Sequence, residues 1–149
     1  ETSVTIAGDD KKPPFILIHG SNGNSAIVIE PFITLLNDYQ LVAIDVIGQP
    51  NYSSEARPSM KGEAYALWLA EVLMRLHLKD VPVYGMSFGG FIVLKALTHA
   101  PERISKAIIH APAGVINGNP FIGIFKIFLP MKNYIKTKNE KKLSKKIKV

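Results

Sequence analysis

The chain of 149 residues contains no cysteine, which excludes disulfide frameworks, thiolate zinc sites and cysteine nucleophiles. It also lacks any apolar run approaching the roughly 20 residues that a membrane-spanning helix needs. The most apolar late stretch, PFIGIFKIFLP (120–130), is bounded by prolines and interrupted by Lys126. No basic-then-apolar leader stands at the start, so a secretory signal is not expected and a cytoplasmic location is. The first residue is Glu1 rather than Met, which suggests processing or a piece of something longer.

Net charge is small outside one segment. The net charge is +6, yet residues 131–149 hold eight lysines and one glutamate, and the preceding 130 residues sum to about −1. Basicity therefore belongs to a tail and not to the body, which argues against a nucleic-acid partner. A run of this kind is expected to be a solvated face. Contact with an anionic membrane surface is the rival reading, with Phe121, Phe125 and Phe128 ahead of the lysines.

What is present suits one domain with a real core: 47% hydrophobic and 20% charged residues. Continuous apolar runs at FILIH (15–19), LVAIDV (41–46), VPVYGM (81–86) and SKAIIHA (105–111) read as strands buried on both faces of a parallel sheet. TSVTIA (2–7) alternates and reads as an edge strand. Helical patterns separate the runs. Glu30-Pro31 opens one, with Phe32, Leu35, Leu36 and Tyr39 on one face. Ser59 caps a second, whose apolar face is Tyr65, Trp68, Leu69, Val72, Leu73 and Leu76. A third runs from Ser87 to just before Pro101. The predicted fold is α/β, a mostly parallel sheet with helices on both faces.

Ligands of such sheets bind beyond the carboxyl ends of the strands. Two segments fall there. VYGMSFGG (83–90) places Ser87 between Gly85 and Gly89 at a strand-to-helix turn, the pattern of a strained elbow that projects a nucleophile into a cleft. The residues two before and two after the corner must be small because they touch, and Gly90 lets the helix approach the sheet. A structural turn without catalysis is the alternative. HGSNGN (19–24) follows the first buried strand. Acyl transfer needs two N–H donors for the developing oxyanion, and the backbones of Phe88 and of Ser21, in the flexible 21–24 run, are the candidates. His19 and Gly20 are read as supports of this loop, with His19 ordering it rather than moving protons.

These segments resemble the α/β-hydrolase-fold superfamily, of the esterase, haloperoxidase and proline-iminopeptidase type. PPFILIHG is similar to its strand-then-His-Gly motif, VYGMSFGG to its nucleophile elbow, and APERISKAIIHAPAG to the passage that follows. DVIGQPNYS (45–53) resembles its Asp-x-x-Gly-x-Gly-x-Ser loop, except that Pro50 replaces the second glycine and the serine is shifted. The resemblance covers residues 2–114 and implies that 115–149 begin a cap. It also implies a serine hydrolase acting on an ester, amide or thioester of a small-molecule acyl substrate, with no metal or cofactor. A non-catalytic ligand-binding protein on the same scaffold is the alternative.

A catalytic serine needs a histidine and an orienting acid. The family places both after later strands. Of the four histidines here, His19 lies in the loop, His77 and His99 at helix ends, and His110 at a strand end, where a satisfied and partly buried role is expected. Asp45 is read as a loop organiser. The expectation is that the base lies outside these 149 residues, that the chain is the N-terminal portion of a hydrolase, and that alone it is inactive.

Overall fold

The computed structural model describes residues 1–114. The proposed cap segment, with its three phenylalanines and lysine-rich run, lies outside the described residues. Five strands form one sheet: β1 (Val4–Ala7), β2 (Pro14–Ile18), β3 (Gln40–Ile44), β4 (Val81–Met86) and β5 (Ile104–His110). Their spatial order is β1-β3-β2-β4-β5, with β1 antiparallel to β3 and every other pairing parallel. Pro82 cannot donate to a ladder. It sits at the register shift between β4 and β5, where a missing N–H is tolerated.

From β2 the chain moves outward to β3, then returns past β2 to β4. Crossovers keep one hand, so this reversal sends the connecting helices to opposite faces. The first crossover holds α1 (Ser25–Ile29) and a 3₁₀ helix (Glu30–Asn37). Phe32, Leu35, Leu36 and Tyr39 pack there on Phe15, Leu17, Leu41, Ala43 and Tyr84, the predicted face. The other face carries α2 (Ala64–Arg75) and α3 (Phe88–His99) over Ile16, Ile18, Val42, Ile44 and Val83. Tyr65, Leu69, Val72 and Leu73 of α2 are buried, and Trp68 and Leu76 pack beside them.

Three sequence expectations need correction. Ser59 does not cap α2, which begins at Ala64 after Glu63; the Ser59 hydroxyl instead accepts from the Lys61 N–H two residues on. The helix opened by Glu30-Pro31 is 3₁₀, and α1 precedes it, capped by the Asn24 side chain through the Ile27 N–H. β5 is not buried on both faces: Ile104 is buried, while Ser105 to Ile108 and His110 are exposed. Among the described residues β5 stands at the end of the sheet and has a neighbouring strand only in β4.

Candidate active site

The reversal of direction makes a crevice at the carboxyl ends of β2 and β4, where ligands bind in open α/β sheets. Both sequence-predicted segments meet there. Ser87 leaves β4 with φ 51° and ψ −109°, in the left-handed half of backbone space that a side chain seldom occupies. Hydrogen bonds hold that strain. The Ser87 N–H donates to His110 O at 2.9 Å, and Ser87 O accepts from Phe91 N at 3.0 Å and from Ala113 N at 2.9 Å.

The glycines are required by contact. A Cβ on Gly85 would stand 2.7 Å from Gly89 O, and one on Gly89 would stand 2.3 Å from Ile18 O. The corner is therefore packed against β2 with no room for a methyl group. Gly90 is tight but less so, its nearest neighbour being Gly85 O at 3.1 Å.

The loop after β2 meets Ser87 directly. A Cβ built on Gly20 would lie 3.3 Å from the Ser87 Cβ and 3.5 Å from Met86 O, so Gly20 lies close beside the corner. The 20–24 run is not slack. Gly23 N–H closes a turn onto Gly20 O at 3.1 Å, Asn22 takes φ 58°, and Asn24 caps α1.

His19 is fully buried beneath this turn. The Val46 N–H donates to its Nε2 at 2.9 Å, so Nδ1 carries the proton and donates to Gly20 O at 2.7 Å. Burial lowers its pKa, outweighing the Gly20 carbonyl and the Asp45 carboxylate, which both favour the cation. The neutral ring thus has both nitrogens engaged, tying the turn after β2 to the segment after β3. Asp45, also fully buried, accepts the Ser25 N–H on Oδ1 at 2.7 Å, and its main-chain oxygen accepts from the Ser53 hydroxyl at 2.6 Å. Among the described residues its Oδ2 has no partner.

The other histidines stand away from Ser87 or are engaged. His77 follows α2 and His99 ends α3, both at the amino-terminal edge of the sheet, whereas Ser87 is at its carboxyl edge. The 12 residues of α3 alone separate His99 from Ser87 by roughly 18 Å. His110 is at the right edge, but its Nδ1 lies 3.0 Å from the Tyr84 hydroxyl, and the residue is exposed rather than partly buried.

Sequence reasoning passed over Gln49 and Asn51. Gln49 Oε1 accepts the Asn22 N–H at 2.8 Å. Asn51 Nδ2 donates to Val46 O at 2.9 Å and lies 3.3 Å from His19 Nε2, while its Oδ1 accepts from Ser53 N at 2.8 Å. The signal available was the departure at Pro50, since polar side chains on either side of a proline replace the glycine-rich backbone of that loop.

The site is thus a strained strand-to-helix corner, facing a histidine-supported turn across the switch point of a mostly parallel sheet. That defines a class of α/β protein with a half-buried serine at its ligand end. Comparison with known proteins narrows it. A family model described as alpha/beta hydrolase fold matches residues 13–133, and the chain belongs to that family. It is 31% identical over 113 residues to a Bacillus subtilis protein described as the uncharacterized carboxylesterase nap, covering 76% of this chain and 38% of that one. Carboxylesterase YbfK of the same organism is 28% identical with the same coverage. The crystal structure of YbfK superposes with TM-score 0.75 at 28% identity, and that of B. subtilis naproxen esterase with 0.76 at 26%. Each superposition takes in 91% of this chain, with 49% and 48% of the other. The chain spans about two fifths of the length of these curated relatives.

Proposed function

We propose that the protein is part of a carboxylester hydrolase that works through an acyl-enzyme on Ser87. The observation carrying this reading is the closeness of Gly20 to a strained elbow, where a Cβ on Gly20 would stand 3.3 Å from the Ser87 Cβ. That is the arrangement in which one serine oxygen and two backbone donors converge on a single carbonyl. Phe88 opens α3, so its N–H has no partner within the helix and carries part of the positive end of the helix dipole. Ser21 supplies the second donor from the turn. The similarity to two carboxylesterases favours an ester over an amide as the bond cleaved.

In this mechanism Ser87 Oγ attacks the acyl carbon and passes its proton to a base. The carbonyl oxygen becomes an oxyanion held by Phe88 and Ser21, the alcohol leaves with a proton, and water then releases the acid. Each donor contributes roughly 10²–10³ in rate. The substrate class is a small acyl ester, and nucleic acid is not a partner. His19 is committed to the loop, His77 and His99 lie at the far edge, and His110 is bonded to Tyr84. The reading therefore assigns the base to residues outside this chain's 149.

The test is hydrolysis of p-nitrophenyl esters by the full-length protein. Ser87→Ala is expected to reduce kcat to background with the fold intact. Turnover retained in that variant removes Ser87 from the mechanism.

A further inference from the structure

We infer that Gln49 is a positioning residue for the oxyanion turn, through the Asn22 N–H that its side chain holds. The inference rests on the assignment of Ser21 as an oxyanion donor. Ser21 lies between two residues gripped by one neighbouring segment. On its amino side, Asn51 Nδ2 lies 3.3 Å from His19 Nε2 and also binds Val46 O, the carbonyl of the residue whose N–H occupies that same ring nitrogen. On its carboxyl side, Gln49 Oε1 accepts the Asn22 N–H at 2.8 Å. Pro50 stands between the two gripping side chains, with its φ restricted by the ring.

The need for such a grip follows from the turn. Its internal hydrogen bond runs from Gly23 N to Gly20 O and leaves the Ser21 and Asn22 N–H groups free. Asn22 is held at φ 58°, a conformation open to asparagine but not strongly preferred, so the central peptide of the turn is the part most easily rotated. Rotation there tilts the neighbouring Ser21 N–H away from the substrate oxygen. Gln49 ties the next amide in sequence and opposes that rotation. Its own Nε2 donates to Gly48 O at 3.2 Å, which orients the amide so that oxygen faces Asn22. Gly48 is fixed in turn: it has φ 74°, and a Cβ there would meet Arg57 Cγ at 2.6 Å. The grip thus comes from an anchored segment.

Gln49→Met preserves length and shape and removes the acceptor. In the full-length enzyme it is expected to lower kcat roughly tenfold, part of the 10²–10³ carried by one oxyanion donor, with KM within twofold and Tm unchanged. In the 149-residue chain, the same substitution is expected to speed hydrogen exchange at the Asn22 amide. Gln49→Glu, which restores the acceptor but not the donor to Gly48 O, should return part of the exchange protection and part of the kcat. Wild-type kcat in Gln49→Met, with Ser87→Ala inactive, overturns the role of Gln49 alone. A change confined to KM also overturns it, since Gln49 would then be touching substrate. Turnover retained in Ser87→Ala removes the underlying assignment instead.

Discussion

Gly89 and Ile18 are in contact so close that a single Cβ on Gly89 would stand 2.3 Å from the Ile18 carbonyl oxygen. The elbow is therefore clamped to the end of β2, the strand that also launches the 20–24 turn. The proposed nucleophile and the proposed oxyanion donors share one support.

This contact orders the glycine substitutions. Gly89→Ala meets a backbone oxygen that cannot swing aside, so it is expected to cost more than about 3 kcal/mol, at or beyond the upper end of ordinary overpacking. Gly85→Ala, with Gly89 O at 2.7 Å, follows closely, and Gly90→Ala, with its nearest atom at 3.1 Å, is the mildest. Urea unfolding of the three variants checks the ranking.

Backbone strain at Ser87 is measurable in the same way. Its φ of 51° suits glycine better than alanine. Ser87→Gly should be more stable than Ser87→Ala by about 1 kcal/mol, the relief of strain less the added entropy of the unfolded glycine chain. Equal stabilities would mean that the elbow relaxes in solution.

His19 gives stability a defined pH dependence. Above its ordinary pKa of about 6.5 it is neutral whether folded or unfolded and contributes no slope. Its folded pKa is lowered, so as pH falls below about 6.5 the unfolded chain takes up a proton that the folded one refuses. Stability should therefore fall with pH in this window, by up to about 1.4 kcal/mol per unit, and the contribution should level off below the folded pKa. Unfolding curves between pH 7.5 and 5.5 measure the slope. The ring nitrogen shifts of His19 should report an Nδ1–H tautomer throughout the upper part of that range.

On the proposed mechanism the 149-residue chain should react slowly with a fluorophosphonate, because His19 is engaged in its loop and His110 in its bond to Tyr84. His110→Ala should leave that slow rate unchanged. Rapid labelling lost in His110→Ala would make His110 the base.

By contrast, the exposed Arg75–Glu71 ion pair, 2.8 Å apart on one turn of α2, should matter little. Side chains 75% and 54% exposed are well screened, and Glu71→Ala is expected to shift stability by less than about 0.5 kcal/mol.

Continuous apolar runs were enough to place β2, β3 and β4, since a strand buried on both faces must be apolar at every position. The same rule overreached at β5, which carries Ser105 and Lys106 within its apolar run and is exposed from Ser105 to Ile108. Sequence records what a strand is fit to be buried against, not whether a neighbour is there. The Ser59 expectation failed for a local reason. A serine before a periodic run is a capping signal, but here its hydroxyl serves a turn and the helix begins five residues later.

The amino-acid order by itself determined the elbow and the turn opposite it. Glycines at 85 and 89 around Ser87 are a steric requirement, and a His-Gly pair after a buried strand marks a loop at the ligand end. The tertiary structure alone decided how that loop is held. The tautomer and pKa of His19 depend on the Val46 amide, 27 positions away, and the grip of Gln49 on Asn22 spans the same separation. Such contacts leave no periodicity or spacing in the sequence, because they exist only after β2 and β3 have paired and brought their following loops together.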